Sequence, residues 1–263
     1  LGGRLKYSSA YYPPGIDSLD EAEEAMLKAS CDQAELSDGQ RVLELGCGWG
    51  SLTLWMASQY PNSRITAVSN SASQRRFIEQ RALDLGLDNL KVITCDVNQL
   101  ELDEHFDRVV SVEMFEHVRN YRELLKRISG WLRPDGKLFV HIFCHRYLAY
   151  PFETEGEGNW MGRYFFTGGL MPAADTLLHF QDDLALENRR LYSGEHYSKT
   201  ARAWLDNMDA RKQQVREAMQ TIYGDEAAVW QQRWRMFFMA CEELFGYDDG
   251  NVWLVAHYRF RRR

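Results

Sequence analysis

Residues 42–50 read Val-Leu-Glu-Leu-Gly-Cys-Gly-Trp-Gly and constrain the fold more than any other stretch. A short apolar-rich strand runs into a glycine-rich turn and then into a helix. Gly46 and Gly48 carry no Cβ, so the backbone can bend sharply there and a ligand can lie against it. The helix that follows presents free N–H groups at its start. A dinucleotide-binding turn would read Gly-x-Gly-x-x-Gly. Here the spacing is Glu-x-Gly-x-Gly-x-Gly, from Glu44 to Gly50. A plain strand–helix turn is the alternative, and the rest of the chain decides between them.

Around this turn the apolar period switches repeatedly. Residues 17–35 carry Leu19, Ala22, Ala25, Met26 and Leu27 at helical spacing, with acidic residues in the first turn. Strands are predicted over 42–45, 64–68, 91–94, 107–112 and 137–143, and helices over 51–59, 71–85 and 121–132. Ser69 or Ser71 caps the second of these helices, and Gly86 ends it. Pro134-Asp135-Gly136 predicts a turn. Downstream, 147–169 is rich in aromatics and glycine without a clean period and reads as a lid or ordered loop. Residues 184–191 predict a strand, 198–246 are largely helical, and 251–260 alternate like an edge strand.

Short β-rich runs between helical stretches imply a parallel sheet with helices on both faces. The expected architecture is α/β and Rossmann-like, with a helical insertion or lid between the last two strands. Its parts are an N-terminal cap segment over 1–35, a ligand-binding core over 36–143, a lid loop and sixth strand over 144–197, the helical insertion over 198–248, and a last strand over 249–263. The aromatics Trp204, Trp230, Trp234, Phe237, Phe238 and Phe245 form a stripe expected to be core rather than pocket.

Composition narrows the class. The 263 residues, 45% of them hydrophobic, suffice for one large domain with its own core. A net charge of −7 disfavours nonspecific contact with nucleic acid or anionic lipid. No apolar run nears the roughly 20 residues of a bilayer crossing, so neither nucleic-acid binding nor stable membrane insertion is expected. Five scattered cysteines without a Cys-x-x-Cys pair argue for a reducing, cytoplasmic setting with no disulfide framework and no metal site. The first residue is Leu1, which implies an upstream segment. That segment could carry an interface, so a homodimer is an open option.

Ligands of doubly wound sheets sit at the carboxyl ends of the strands. The first strand ends in Glu44, Gly46 and Gly48. The second ends in Ser69, Asn70 and Gln74, whose hydroxyl and amide groups suit ribose hydroxyls. The third ends in Asp96 and Val97, an acceptor for an adenine amino group and an apolar partner for its ring. Each alone is an ordinary turn residue or helix cap; their order along the chain carries the inference. The Glu44–Gly50 turn resembles motif I of the class I S-adenosylmethionine (SAM) methyltransferases, where it holds the methionine end of SAM.

Longer stretches extend the resemblance: YSSAYY at 7–12, LELGCGWGSLTL at 43–54, VSNSASQ at 68–74, VEMFEHVRNY at 112–121, FQDDLALEN at 180–188, SGEHYSKT at 193–200 and ELFGYDDGNVW at 243–253. The chain resembles the coclaurine N-methyltransferase group, with its pavine and tetrahydroprotoberberine relatives, which is in turn similar to the cyclopropane fatty acid synthases. The resemblance implies a class I methyltransferase fold and SAM as donor. It places cofactor contacts at Tyr7, Ser8, Gly46, Gly48, Ser69, Asn70, Gln74, Asp96, Val97 and Val112, and a helical cap in the segment upstream.

Glu113-Met114-Phe115-Glu116-His117 follows the fourth strand, where its carboxyl end meets the cleft. A carboxylate here can attract a protonated amine and take its proton. An ammonium has no lone pair, so methyl transfer to an amine needs that proton removed. A histidine with a carboxylate partner does this near neutral pH. In the alkaloid N-methyltransferases the matching residues are the proposed binding and base residues, which implies those roles for Glu113, Glu116 and His117. The substrate expected is a small aromatic or alkaloid-like amine. A helix cap at Glu116 with His117 packed behind it is the bland alternative.

A competing reading uses other partners. Similarity to cyclopropane synthases implies that Glu116, His141 and Tyr197 hold a bicarbonate that serves as base during methylene transfer to an acyl chain. Ser9 stands where those enzymes have a cysteine, and Glu113 is extra; both departures point toward N-methylation, although a serine hydroxyl can still donate. His145, Tyr147 and Tyr150 are candidates for the acceptor pocket or for loop packing. Glu195-His196 is a candidate for the lid interior, and His105, His179 and His257 read as structural or surface residues.

Overall fold

The β-rich runs of the first half each become one strand of a single sheet. In the computed structural model, which describes residues 1–263, the chain runs α1 (Leu19–Gln33), β1 (Arg41–Leu45), α2 (Ser51–Gln59), β2 (Arg64–Ser69), α3 (Ala72–Asp84), β3 (Leu90–Thr94), β4 (Phe106–Val112), α4 (Tyr121–Trp131) and β5 (Leu132–His145). It continues through β6 (Tyr150–Pro151), α5 (Trp160–Tyr164), β7 (Leu170–Met171), β8 (Leu184–Tyr192), α6 (Glu195–Ala210), α7 (Lys212–Tyr223), α8 (Ala227–Gly250) and β9 (Trp253–Arg262). The main sheet has seven strands in the order β3-β2-β1-β4-β5-β9-β8, and β6 and β7 form a separate two-stranded ribbon. The first five are mutually parallel, β9 is antiparallel to β5, and β8 is antiparallel to β9.

The helices form where spacing and caps agree. Ser71 caps α3 by accepting from the Gln74 N–H. In α4 the buried positions Tyr121, Leu124, Leu125, Ile128 and Trp131 make one apolar stripe, which packs with Phe106, Val109, Leu138 and Val140 in the largest core cluster. No helix is long and apolar enough to cross a membrane.

Two expectations are corrected. Residues 251–260 do not form an edge strand: β9 lies between β5 and β8, and its burial is nearly continuous rather than alternating. The edge belongs to β8, whose outward residues Glu187–Leu191 are exposed. Pro134-Asp135-Gly136 does turn, but inside β5, as a bulge between the pairs Phe106↔Leu132 and Arg108↔Lys137.

Two features position the site. Chain connections leave β1 toward β2 and β4 toward β5, in opposite directions along the sheet. A crevice therefore opens at the carboxyl ends of β1 and β4, where Gly46 and Glu113 emerge. Residues 1–12 cross above it as a strap. Glu23, buried in α1, accepts from the Gly2 and Arg4 N–H groups at 3.1 and 3.0 Å, and the Tyr11 N–H donates to the Ala22 carbonyl. The strap thereby brings Lys6, Tyr7, Ser8 and Ser9 over the crevice.

Candidate active site

The turn after β1 requires glycine for two reasons. Gly46 has φ of +80°, and a Cβ there would lie 2.8 Å from the Met114 side chain. Its N–H and that of Cys47 both donate to the Val68 carbonyl, tying the turn to β2. Glu44 sits buried beneath, accepting from Thr53 Oγ1 at 2.5 Å, and burial pushes its pKa up to about 7.

Two adjoining cavities line this turn and share Gly46, Gly48, Gln74 and Glu113. One carries Ser69, Asn70, Asp96 and Val97; the other carries Tyr7, Ser8 and Val112. All ten residues proposed as cofactor contacts therefore face one continuous cleft. The reading of Ser69 changes in one respect. Its hydroxyl donates to Gln74 Oε1 at 2.6 Å and accepts from the Ser71 N–H, so it orients Gln74 and keeps only an acceptor lone pair for a ligand. Asp96 accepts from Asn98 through Oδ1 alone, leaving Oδ2 available.

The second cavity also holds the hydroxyls of Ser30 and Ser51, both buried and without a hydrogen-bond partner. Buried hydroxyls are rarely left unpaired. Together with the Lys6 ammonium and the start of α2, they fit a small zwitterionic group such as the methionine end of SAM.

On the other side of Glu113 lies a largely apolar cavity. Its walls are Phe152, Phe165 and Phe166 from the segment between β5 and β8, Trp204 from α6, and Phe237 and Phe245 from α8. The aromatic stripe of the helical block is thus both core and pocket wall, because the same side chains pack behind and line the hole. His145, Tyr147 and Tyr150 stay outside it. His145 packs edge-on against Trp253, Tyr147 is exposed, and Tyr150 accepts from Trp253 Nε1. His196 Nδ1 accepts from the Tyr12 N–H and does not face the cavity.

Glu113 leaves β4 with φ of +46°, a left-handed conformation that costs a non-glycine residue about 1 kcal/mol. Its N–H donates to the His141 carbonyl at 2.8 Å, which holds the backbone there. The carboxylate then meets three donors. The Ser9 N–H reaches Oε1 at 3.2 Å, Tyr197 Oη–H reaches Oε2 at 2.7 Å, and His141 Nε2 lies 3.2 Å from Oε1. Ser9 contributes through its backbone; its hydroxyl donates instead to the Ala10 carbonyl at 3.0 Å, which corrects the expectation for that side chain.

Glu116 and His117 follow on a single 3₁₀ turn, Phe115–His117. Glu116 is buried at 2% exposure, and its Oε2 has no partner. Burial first, and Glu113 second, push its pKa well above the carboxylate range. Burial also raises Glu113, but Lys6, Tyr197 and the Ser9 N–H oppose the rise. Of the two carboxyls, Glu116 therefore holds a proton more tightly, and Glu113 is the one favoured to carry the charge. The His117 ring is half exposed, 3.9 Å from Glu116, and burial lowers its pKa, so it is a neutral base near pH 7.

Two residues of this cluster carry no sequence motif. Lys6, buried, donates to Ser8 Oγ at 2.5 Å and to the Ser9 carbonyl at 2.6 Å, and its charge acts on Glu113. His257, read as structural or surface, is buried against His141 with ring nitrogens 2.8 Å apart. A lone lysine offers no pattern to read. A histidine inside the apolar run of β9 was a usable signal, since such positions are rarely polar without a partner.

A family profile described as mycolic acid cyclopropane synthetase matches residues 1–255. The chain belongs to that family. (S)-Coclaurine N-methyltransferase of Thalictrum flavum subsp. glaucum is 40% identical over the whole of this chain and 74% of its own length. Cyclopropane-fatty-acyl-phospholipid synthase of Escherichia coli K12 is 28% identical over 97% of this chain and 62% of its own. A crystal structure of coclaurine N-methyltransferase bound to N-methylheliamine and SAH superposes with a TM-score of 0.95 at 39% identity, covering 99% of this chain and 79% of that one. The family member described here is a SAM-dependent methyltransferase with the class I fold.

Proposed function

We propose that the chain N-methylates a small aromatic amine, with Glu113 and Glu116 orienting the amine and His117 assisting its deprotonation. One observation carries this reading: Glu113 alone lines the aromatic cavity and both parts of the cofactor cleft. A carboxylate at that junction stands where acceptor and donor would meet. SAM, when bound, supplies a methyl group on a cationic sulfonium.

The chain's own residues supply the rest. Aromatic walls hold a flat cation through its faces and edges. The ionised Glu113 draws the ammonium toward the junction, and neutral His117, which lines both the aromatic cavity and the cleft, is placed to receive its proton. Glu116, uncharged, adds a hydrogen-bonding group without a second buried negative charge. Confinement of the amine beside the cleft converts binding into near-attack geometry.

The acyl-lipid reading is less well supported. The His141, Tyr197 and Ser9 positions ascribed to a bicarbonate site all bond the Glu113 carboxylate instead. The protein's own carboxylate fills the place of the free anion. Two acceptor panels test the assignment, small secondary and tertiary amines against unsaturated phospholipids, each with labelled SAM and with or without bicarbonate. Label on amines, indifferent to bicarbonate, is the expected result. Bicarbonate-dependent label on acyl chains would overturn it. His117→Ala is expected to lower amine methylation about tenfold at pH 7, because solvent reaches this half-exposed ring and replaces part of its role. Unchanged turnover would remove His117 from the mechanism; SAM affinity by calorimetry should stay within a few-fold.

A further inference from the structure

Behind Glu113 and its partner His141 lies a second histidine, His257, that the chemistry above does not use. His257 in β9 stands opposite His141 in β5 in the antiparallel register. Both rings are buried, and His141 Nδ1 and His257 Nε2 are 2.8 Å apart. The partners of each nitrogen determine the tautomers. Glu113 is an acceptor, so His141 Nε2 must carry a proton to bond it. A neutral His141 then has a bare Nδ1, which can only accept. His257 Nε2 must therefore carry the proton of the second bond, which leaves His257 Nδ1 bare. That atom is the one without any hydrogen-bond partner. The opposite arrangement would strand a buried N–H at His257 Nδ1 and turn a lone pair toward the Glu113 carboxylate. A stranded donor is the costlier defect.

We propose that His257 is a positioning residue of the methyl-transfer site: its Nε2–H locks His141 in the tautomer that aims Nε2–H at Glu113, keeping that carboxylate ionised and fixed. The proposal rests on the reading of Glu113 as the charged group of the acceptor site. The surroundings keep both rings neutral. Burial lowers the pKa of each well below the ordinary histidine value, and Lys6 opposes protonation of both. Arg190, paired with His257 across the β8–β9 register, adds to this. The remaining ionisable neighbours are Tyr192, whose ring lies 4.6 Å from that of His257, and Glu113 itself. A protonated pair would donate at both ends and would not need the lock.

Nitrogen-15 histidine NMR of the whole protein tests this first without any substitution. The expected spectrum has both rings protonated at Nε2; an Nδ1–H tautomer at His141 would overturn the proposal. His257→Leu and His257→Gln then separate donation from packing. In His257→Leu, His141 is expected to populate both tautomers. kcat is expected to fall about tenfold, the worth of one hydrogen bond. Glu113 loses a donor, so its proton affinity rises and the acid limb of kcat/KM moves to higher pH. His257→Gln keeps an N–H within reach of His141 Nδ1 and should stay within about twofold of wild type. Wild-type tautomer and acid limb in His257→Leu would overturn the proposal, as would equal impairment of the Gln variant with an unmoved limb. Glu113→Gln assayed in parallel reads the underlying assignment separately: full turnover there would remove the role of Glu113, whatever the tautomers.

Discussion

Glu113→Gln is expected to lower kcat by about three orders of magnitude while SAM affinity stays within a few-fold. The substitution keeps shape and removes charge. The cradle can be kept, because the glutamine oxygen can face the Ser9 N–H and His141 Nε2 while its N–H₂ donates to the Tyr197 hydroxyl. The pH dependence follows from the direction of the shift. Burial raises the Glu113 pKa, so its charged form is lost on acidification through a value above the ordinary carboxylate range. Wild-type kcat/KM should show that acid limb, and Glu113→Gln should lack it. The same shift means that the folded state favours the proton on Glu113. The charge costs stability at pH 7 and costs less as pH falls toward that raised pKa, so thermal melting of Glu113→Gln at pH 7 should equal or exceed wild type. Turnover within tenfold of wild type would sink the assignment.

The parts of this site that were legible in the sequence are those built by local rules. The turn from Glu44 to Gly50 needs glycine at φ values that other residues avoid, and the strand and helix flanking it show their own periods. The carboxyl ends of β1, β2, β3 and β4 follow from those periods, so the sequence alone brings Gly46, Gln74, Asp96 and Glu113 to one crevice. Glu113 itself was read for its charge, but its left-handed backbone was invisible, since nothing local marks a glutamate for φ of +46°.

What was not legible depends on long-range pairing. The neighbours of β9 come from 132–145 and 184–192, and only their register shows that β9 is interior and that His257 faces His141. The sequence offers Ser9 as a hydroxyl donor, whereas the site uses its backbone N–H, a group every residue other than proline has and no sequence can single out. Ser69 lines the cleft as the sequence suggests, but its bond to Gln74, at the start of α3, is a contact that spacing alone does not show. The aromatic stripe had the right spacing for core, and the pocket it also lines depends on how α6 and α8 meet the segment after β5.

Lys6→Met is expected to move the acid limb of kcat/KM upward by about one to three pH units, with the activity lost on its acid side recovered as pH rises. Lys6 is the first among the groups that hold the Glu113 pKa down against burial. Removing an opposite charge of this kind raises a carboxylate by about one to three units, and the acid limb follows the carboxylate. Recovery follows because Glu113 ionises again at higher pH. Lys6 is itself displaced: burial first lowers its pKa from 10.5 to about 8. In wild type its charge is therefore lost as pH rises through about 8, and from there Lys6 resembles the uncharged methionine. The two kcat/KM profiles should converge on the alkaline side. Stability follows the same sign. The folded state disfavours the Lys6 proton, so the penalty for its charge is full below pH 8 and is relieved as pH rises toward 10.5. Urea midpoints of wild type should gain over that window relative to Lys6→Met. Profiles that stay parallel at all pH values would show that Lys6 acts by bracing Ser8 and the Ser9 carbonyl, and the electrostatic role would fall.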